Sequence, residues 1–311
     1  MMEMFGPLLL LSAGFVMLVK GADWFVDGAS SIAERFGIPQ LVIGLTIVAM
    51  GTSAPEAAVS ITAALKGNAD ITIGNIVGSN ILNILIILGT SSVITALAVS
   101  KSTVRYEIPF MIVITLVLLV QGMGGVVAFP EGVVLLLLFL VYLGYLFVMA
   151  KHGNAAYTGG NTKKYKLWQS ALWTAAGLAL IVVGSNVAVD AASTIARILG
   201  MSERFIGLTI VALGTSLPEL FTSVSAARKG NADIAIGNIV GSNIFNILFV
   251  VGLSALITPI PFSAGFYMDT VFAVLAGVLL LVCSIPHRKL HRKSGVVMLT
   301  SYVLYFVLIC I

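Results

Sequence analysis

"IGLTIVAMGTSAPE" occupies residues 43–56, and "IGLTIVALGTSLPE" occupies residues 206–219. Each begins as an apolar run that belongs in an oily interior, and each ends in Thr-Ser, a proline and a glutamate. Pro55 has no N–H, and its ring collides with the carbonyl of Gly51, so a regular helix cannot pass through it. The carbonyls from Ala49 to Thr52 then lose backbone partners, which is costly in apolar surroundings. A bound cation or a water-filled cavity would relieve that cost. Thr52, Ser53 and Glu56 set two hydroxyls and a carboxylate within one turn of the break, and Thr215, Ser216 and Glu219 repeat the set beside Pro218.

The likeness extends beyond the two quoted stretches. A shift of 163 residues lays 43–90 onto 206–253 with 34 identities in 48 positions, and "GADWFVDGAS" from Gly21 faces "GSNVAVDAAS" from Gly184. The medium is equally legible. The chain of 311 residues is 59% hydrophobic and 10% charged, with a mean hydropathy of +1.08. A water-soluble domain carries roughly 25% charged residues, so this is an integral membrane protein with the lipid bilayer as its surroundings. Cys283 and Cys310 lie in separate apolar runs, which excludes a disulfide framework or a thiolate metal site. The first twenty residues open with Glu3 in place of a basic stretch and read as a retained span, not a signal peptide.

About 20 helical residues cross a hydrocarbon core. On that length the chain divides into ten segments, 6–34, 39–65, 70–97, 106–127, 130–150, 168–199, 203–228, 233–258, 266–285 and 294–311. The fold expected is therefore all-α, with ten transmembrane helices as two five-helix repeats, 1–150 and 168–311, joined by the polar linker 151–167, "KHGNAAYTGGNTKKYKL". Because five is odd, the second repeat enters the membrane from the opposite side. Such inverted repeats carry substrate sites near the midplane, on interrupted helices. With both termini outside, thirteen Lys and Arg residues fall inside and only Lys66, Arg197 and Arg204 fall outside. That asymmetry sets the orientation and makes the linker cytoplasmic.

The third segment adds oxygen. "GNIVGSNILN" from Gly74 carries Asn75, Ser79, Asn80 and Asn83, and the eighth repeats it with Asn238, Ser242, Asn243 and Asn246. Asn75, Ser79 and Asn83 step by four and share a helix face, and Ser79 with Asn83 is the pair expected to face an ion. Carboxylates, amides, hydroxyls and carbonyls are hard donors suited to calcium or sodium and not to zinc or copper. Blander readings exist for several of these residues. Ser53-x-x-Glu56 fits a capping box; Gly78 and Gly241 fit close helix packing; "KGNADI" at Lys66 and Lys229 fits a turn whose Asn or Asp caps the next helix, with Asp70 and Asp233 placed to draw cations to the mouths. Lys20 and Asp23 are spaced to neutralise one another, and Tyr142, Tyr145 and Trp168 read as interfacial anchors.

"GTSAPE" and "GTSLPE", each followed by "GNIVGSN", closely resemble the two α-repeats of the sodium/calcium exchanger family within the cation/calcium exchanger superfamily. The resemblance implies antiport of Na⁺ against Ca²⁺ by alternating access, with clustered cation sites at 43–90 and 206–253 and with the first and sixth spans as the moving gate. It makes Glu56 and Glu219 the shared carboxylates; Thr52, Ser53, Thr215 and Ser216 hydroxyl or carbonyl ligands; Ala49 and Ala212 carbonyl ligands; and Ser79, Asn83, Ser242 and Asn246 the remainder of the shell. Potassium-dependent members, and some prokaryotic ones, resemble this pattern with Asp where Asn246 stands, so the resemblance argues against potassium co-transport. It implies no cofactor, no nucleic acid and no enzymatic step, and a plasma-membrane protein that functions as a monomer. A proton-coupled calcium antiporter of the same superfamily is the nearest alternative. A cation channel is the alternative of another class, and a two-acid intramembrane hydrolase lacks both a nucleophile and its base.

Overall fold

The computed structural model describes residues 2–152, 165–201 and 212–310. Its helices are α1 (Met2–Phe36), α2 (Gln40–Thr52), α3 (Ala54–Leu65), α4 (Ile71–Ile94), α5 (Thr103–Gly122), α6 (Phe129–His152), α7 (Leu167–Ile198), α8 (Ala212–Thr215), α9 (Leu217–Arg228), α10 (Ala232–Ile257), α11 (Ala264–Ser284) and α12 (Arg292–Cys310). Among the described residues seven helices are long and apolar enough to cross a bilayer, or eight with α2 and α3 taken as one bent span. The seventh expected span, 203–228, is described only from Ala212, so Arg204 and the start of the second repeat motif lie outside the described residues, as does most of the linker. Asp70 and Ala212 are described for their backbone alone.

α4 and α10 are wrapped by protein, whereas α1, α6, α7 and α11 turn apolar side chains such as Leu9, Leu137, Leu172 and Val282 outward. This is the inverse of a soluble bundle, because lipid accepts leucine as readily as a core does. Two spans end earlier than their hydropathy suggests. Leu97–Ala98 (β1) pairs with Lys289–Leu290 (β4), and Val126–Val127 (β2) with Ile260–Pro261 (β3), each antiparallel. The two bridges exchange places under the 163-residue shift, since Leu97 meets Leu290 and Ile260 meets Val127.

α2 and α3 meet at Ser53 with a bend of 49°. Pro55 sits in the first turn of α3 and Pro218 in the first turn of α9, positions where a missing N–H costs nothing. π-helical turns widen α2 at Gly44–Val48, α4 at Asn83–Leu88 and α10 at Asn246–Val251. Such insertions release backbone from the regular ladder and are frequent at functional sites. α10 lies against α2 at backbone distance. A Cβ built on Gly237 would come 3.0 Å from the Gly44 Cα, and one on Gly241 would come 2.8 Å from the Leu45 Cα. Only glycine permits that crossing.

Several expectations change. Ser53 makes no capping bond, and Asn231, at the N-cap of α10, makes none with its side chain. The turns themselves form, with Gly67 and Gly230 at φ +77° and +79°. Asp23 pairs with Lys229 and not with Lys20, because tertiary packing delivers a better partner than its own exposed helix face. Tyr142 is no interfacial anchor. It is 3% exposed, with its hydroxyl 3.5 Å from the Leu45 carbonyl. Tyr145 turns inward to hydrogen-bond Glu107, and only Trp168 of the three stays exposed.

Candidate cation site

The bends at Ser53 and Ser216 bring the two glutamates together. Ser53 Oγ donates to Glu219 Oε1 at 2.7 Å, and Ser216 Oγ donates to Glu56 Oε1 at 3.4 Å. Each half thus holds the carboxylate of the other, which explains why Ser53 is unavailable for its own helix end. Glu56 and Glu219 are both 0% exposed. Neither has a basic partner among the described residues, where Lys229 is engaged with Asp23 and Asp27. Two anionic groups at such depth are expensive without a counter-charge.

Below them lies an asparagine lattice. Asn80 Nδ2 donates to the Asn243 carbonyl at 3.2 Å, and Asn243 Nδ2 returns to the Asn80 carbonyl at 3.1 Å. Asn83 Nδ2 donates to Asn243 Oδ1 at 3.0 Å, and Asn246 Nδ2 to Asn80 Oδ1 at 3.2 Å. Asn80 and Asn243 are therefore crosslinks between α4 and α10. Each holds the amide nitrogen of a neighbouring asparagine and so leaves that neighbour's oxygen unused. Among the described residues the buried oxygens with no partner include Glu56 Oε2, Glu219 Oε2, Asn83 Oδ1 and Asn246 Oδ1. Buried polar atoms without partners are uncommon. Here four acceptors, two from each half and related by the same 163-residue shift, are left unpaired.

Asn75 does not join its helix neighbours Ser79 and Asn83. Its Nδ2 donates to the Glu56 carbonyl at 3.3 Å and to Ser60 Oγ at 2.9 Å. Asn238 does the same for the Glu219 carbonyl and Ser223 Oγ, at 3.3 and 2.9 Å. These two asparagines clamp the turn that carries each glutamate. Asn238 Oδ1 also accepts from Thr52 Oγ1 at 3.0 Å, which turns the Thr52 lone pairs elsewhere. The Ala49 carbonyl is well supplied. It accepts the Ser53 N–H at 3.0 Å and lies 3.3 Å from both Thr52 Oγ1 and Ser242 Oγ. Ser79 is 3% exposed; Thr215 is half-buried in α8, and Ala212 opens that helix.

A cavity of about 640 Å³ adjoins both bends, lined by Pro55, Gly214 and Thr215 together with Ser185, Asn186 and Asp190 of α7. No group of three His, Cys, Asp or Glu side chains is found among the described residues, so the oxygen set is two carboxylates with amides and hydroxyls. That composition fits hard cations.

The family model described as "Sodium/calcium exchanger protein" matches residues 6–148 and again residues 169–311. The chain belongs to the sodium/calcium exchanger family. Within that exchanger family it is 40% identical over 310 residues to the putative antiporter CaxA of Alkalimonas amylolytica, covering 94% of this chain and 95% of that one. It is 33% identical over 345 residues to the sodium/calcium exchanger MaX1 of Methanosarcina acetivorans, covering 97% of each. Among solved structures it is similar to the sodium-calcium exchanger NCX_Mj soaked with Na⁺ and Ca²⁺, with a TM-score of 0.86, 33% identity and coverage of 97% and 98%. This exchanger is accordingly a multi-pass integral membrane protein.

The sequence reading missed the roles of Asn75, Asn80, Asn238 and Asn243, which it grouped with the other oxygen donors. The signal was present. All four recur at the 163-residue shift, yet recurrence alone does not separate a residue that faces an ion from one that holds its neighbour.

Proposed function

We propose that this exchanger is a secondary antiporter that moves Na⁺ against Ca²⁺ by alternating access, without K⁺. The observation that carries the reading is the set of four unpaired buried oxygens, on Glu56, Glu219, Asn83 and Asn246. Thr52, Ser53, Thr215, Ser216, Ser79 and Ser242, with the Ala49 and Ala212 carbonyls, would complete the shell. One Ca²⁺ neutralises both carboxylates, and sodium ions can do so in its place. Full occupancy by both would overload two negative charges, so each ion displaces the other. Empty, the pair repels and disfavours an occluded site, which limits leak. Each ion biases the inward–outward balance only by its differential affinity for the two states.

Two inverted five-helix repeats of ten spans, divided at 151–167, give this scheme its two-sided symmetry. It is supported by the paired bonds at the 163-residue shift and by the double match of the family model. On the charge asymmetry the termini lie outside and the linker inside, in the plasma membrane. One chain supplies both halves of the site, so a monomer suffices. Asn at both 83 and 246 withholds the third carboxylate that a further monovalent cation would want.

The test is radiolabelled Ca²⁺ uptake into proteoliposomes with Na⁺, K⁺ and H⁺ gradients imposed one at a time. Uptake driven by an outward Na⁺ gradient and indifferent to K⁺ is expected. Uptake driven by an H⁺ gradient alone would instead make the protein a calcium/proton antiporter, and saturation-free flux without a counter-ion would make it a channel.

A further inference from the structure

α1 and α7 run antiparallel and touch along their length through glycines. Cβ atoms built on Gly14, Gly21 and Gly28 would come within 2.9 Å of Ala188, Gly177 and Thr174. Contact this close makes the two long helices a single packed pair. At one end the pair is tied down. Lys229, just past α9, reaches Asp27 Oδ1 at 2.6 Å, the Asp23 carbonyl at 2.7 Å and Asp23 Oδ1 at 3.5 Å. Ser225 Oγ donates to Asp23 at 2.6 Å, and Asn231 Nδ2 donates to Ser30 Oγ at 3.0 Å.

The 163-residue shift gives every member of this network a counterpart, of like chemistry everywhere but at Asp23. Asp27, Asp23 and Ser30 of α1 become Asp190, Asn186 and Ser193 of α7, while Ser225, Lys229 and Asn231 become Thr62, Lys66 and Asn68. The counterparts are not engaged in the same way. Asn186, Asp190 and Ser193 line the 640 Å³ cavity, opposite Ala58 and Val59 of α3. Lys66 is exposed, and no ion pair joins it to Asp190.

We propose that these two networks are alternate latches, one closed at a time. Here Lys229 holds α1 against α9 while the cavity holds α7 away from α3. When the α1–α7 body tilts, the Lys229 latch opens, the cavity closes, and Lys66 engages Asp190 and Asn186. On the proposed topology the closed latch is cytoplasmic and the cavity faces outward. The second latch is the weaker, because Asn186 stands where Asp23 stands in the first, which biases the resting protein toward the state seen here. The inference rests on the alternating-access reading, and it concerns which side chains hold each end state.

The test is thiol labelling of purified full-length protein in detergent, in a background with Cys283→Ser and Cys310→Ser. The reporter is Ala58→Cys, which lines the cavity. Lys229→Ala is expected to slow its reaction with a charged maleimide about fivefold, and Lys66→Ala is expected to speed it. Asp27→Asn is the second variant on the first latch, should Lys229→Ala fold poorly, and it should slow labelling likewise. Changes of the same sign in the Lys66 and Lys229 variants, or no change in either, would overturn the latches. Labelling reads access without transport, so absent Na⁺-driven uptake in the parent protein counts against the exchange reading alone.

Discussion

Glu56 and Glu219 are held at one oxygen by a serine from the opposite half and are unpaired at the other. Replacing either by Gln keeps the size and removes the charge that a divalent ion needs. Both Glu56→Gln and Glu219→Gln are therefore expected to abolish Ca²⁺ uptake into Na⁺-loaded vesicles while the protein elutes as a single folded species. Normal uptake by both would contradict the assignment. Asn238 acts through its neighbours, clamping the Glu219 turn and orienting Thr52. Loss of such an outer support lowers metal affinity by about tenfold or more. Asn238→Ala should accordingly raise the Ca²⁺ concentration for half-maximal uptake by that factor with the maximal rate less affected, measured by a Ca²⁺ titration. The glutamates were legible from sequence because acid beside a helix-breaking proline, written twice, has no economical explanation in a soluble helix. The clamping asparagines were not, because helical spacing places Asn75 on the face of Asn83 and only tertiary contact diverts it to Glu56.

The bends and crossings of the helices belong to the next scale. Pro55 announces its break in the sequence, and the structure puts the break two residues earlier, at Ser53, where the proline falls in the first turn of α3. Pro55→Ala restores an N–H and permits a continuous helix. That change is expected to reduce Ca²⁺ turnover, read in the same vesicle assay, because Ser53 is drawn away from Glu219. The π-helical turns that start at Asn83 and Asn246 have no sequence signature of their own. They start at the asparagines that reach across between α4 and α10, a contact that residue patterns do not reveal. The glycine crossing is easier to test. Gly241→Val sets a side chain against the Leu45 backbone and should cost about 1–3 kcal/mol, seen as a lower melting temperature in detergent. Gly6→Ala, inside α1 with nothing within 4 Å of the added Cβ, should not lower the melting temperature.

At the scale of the molecule, the bilayer and the duplication do most of the specifying. Composition dictates lipid, helical length dictates the number of segments, and the 163-residue shift gives the oxygen-bearing residues of one half an image in the other. Sequence reading therefore reached the all-helical membrane fold, and it singled out Glu56 and Glu219, which the structure brings within reach of the opposite half's serine. It did not reach the contacts that tell the two halves apart, such as the Lys229 bond to Asp27 across 202 residues. Those depend on tertiary contact and not on a pattern. If net charge crosses with each cycle, an imposed potential acts at about 2.3 kcal/mol per elementary charge per 100 mV. Na⁺-driven uptake should then change rate when a K⁺ diffusion potential is clamped with an ionophore, whereas an unchanged rate would mean electroneutral exchange.

The most direct measurement is equilibrium binding of radiolabelled Ca²⁺ to the purified protein across a Na⁺ titration, made for the parent chain and for Glu56→Gln and Glu219→Gln. A saturable component displaced by Na⁺ and lost in both variants is the expected result. Binding that persists in both, or that ignores Na⁺, would contradict a site in which two buried carboxylates are neutralised by the ions in turn.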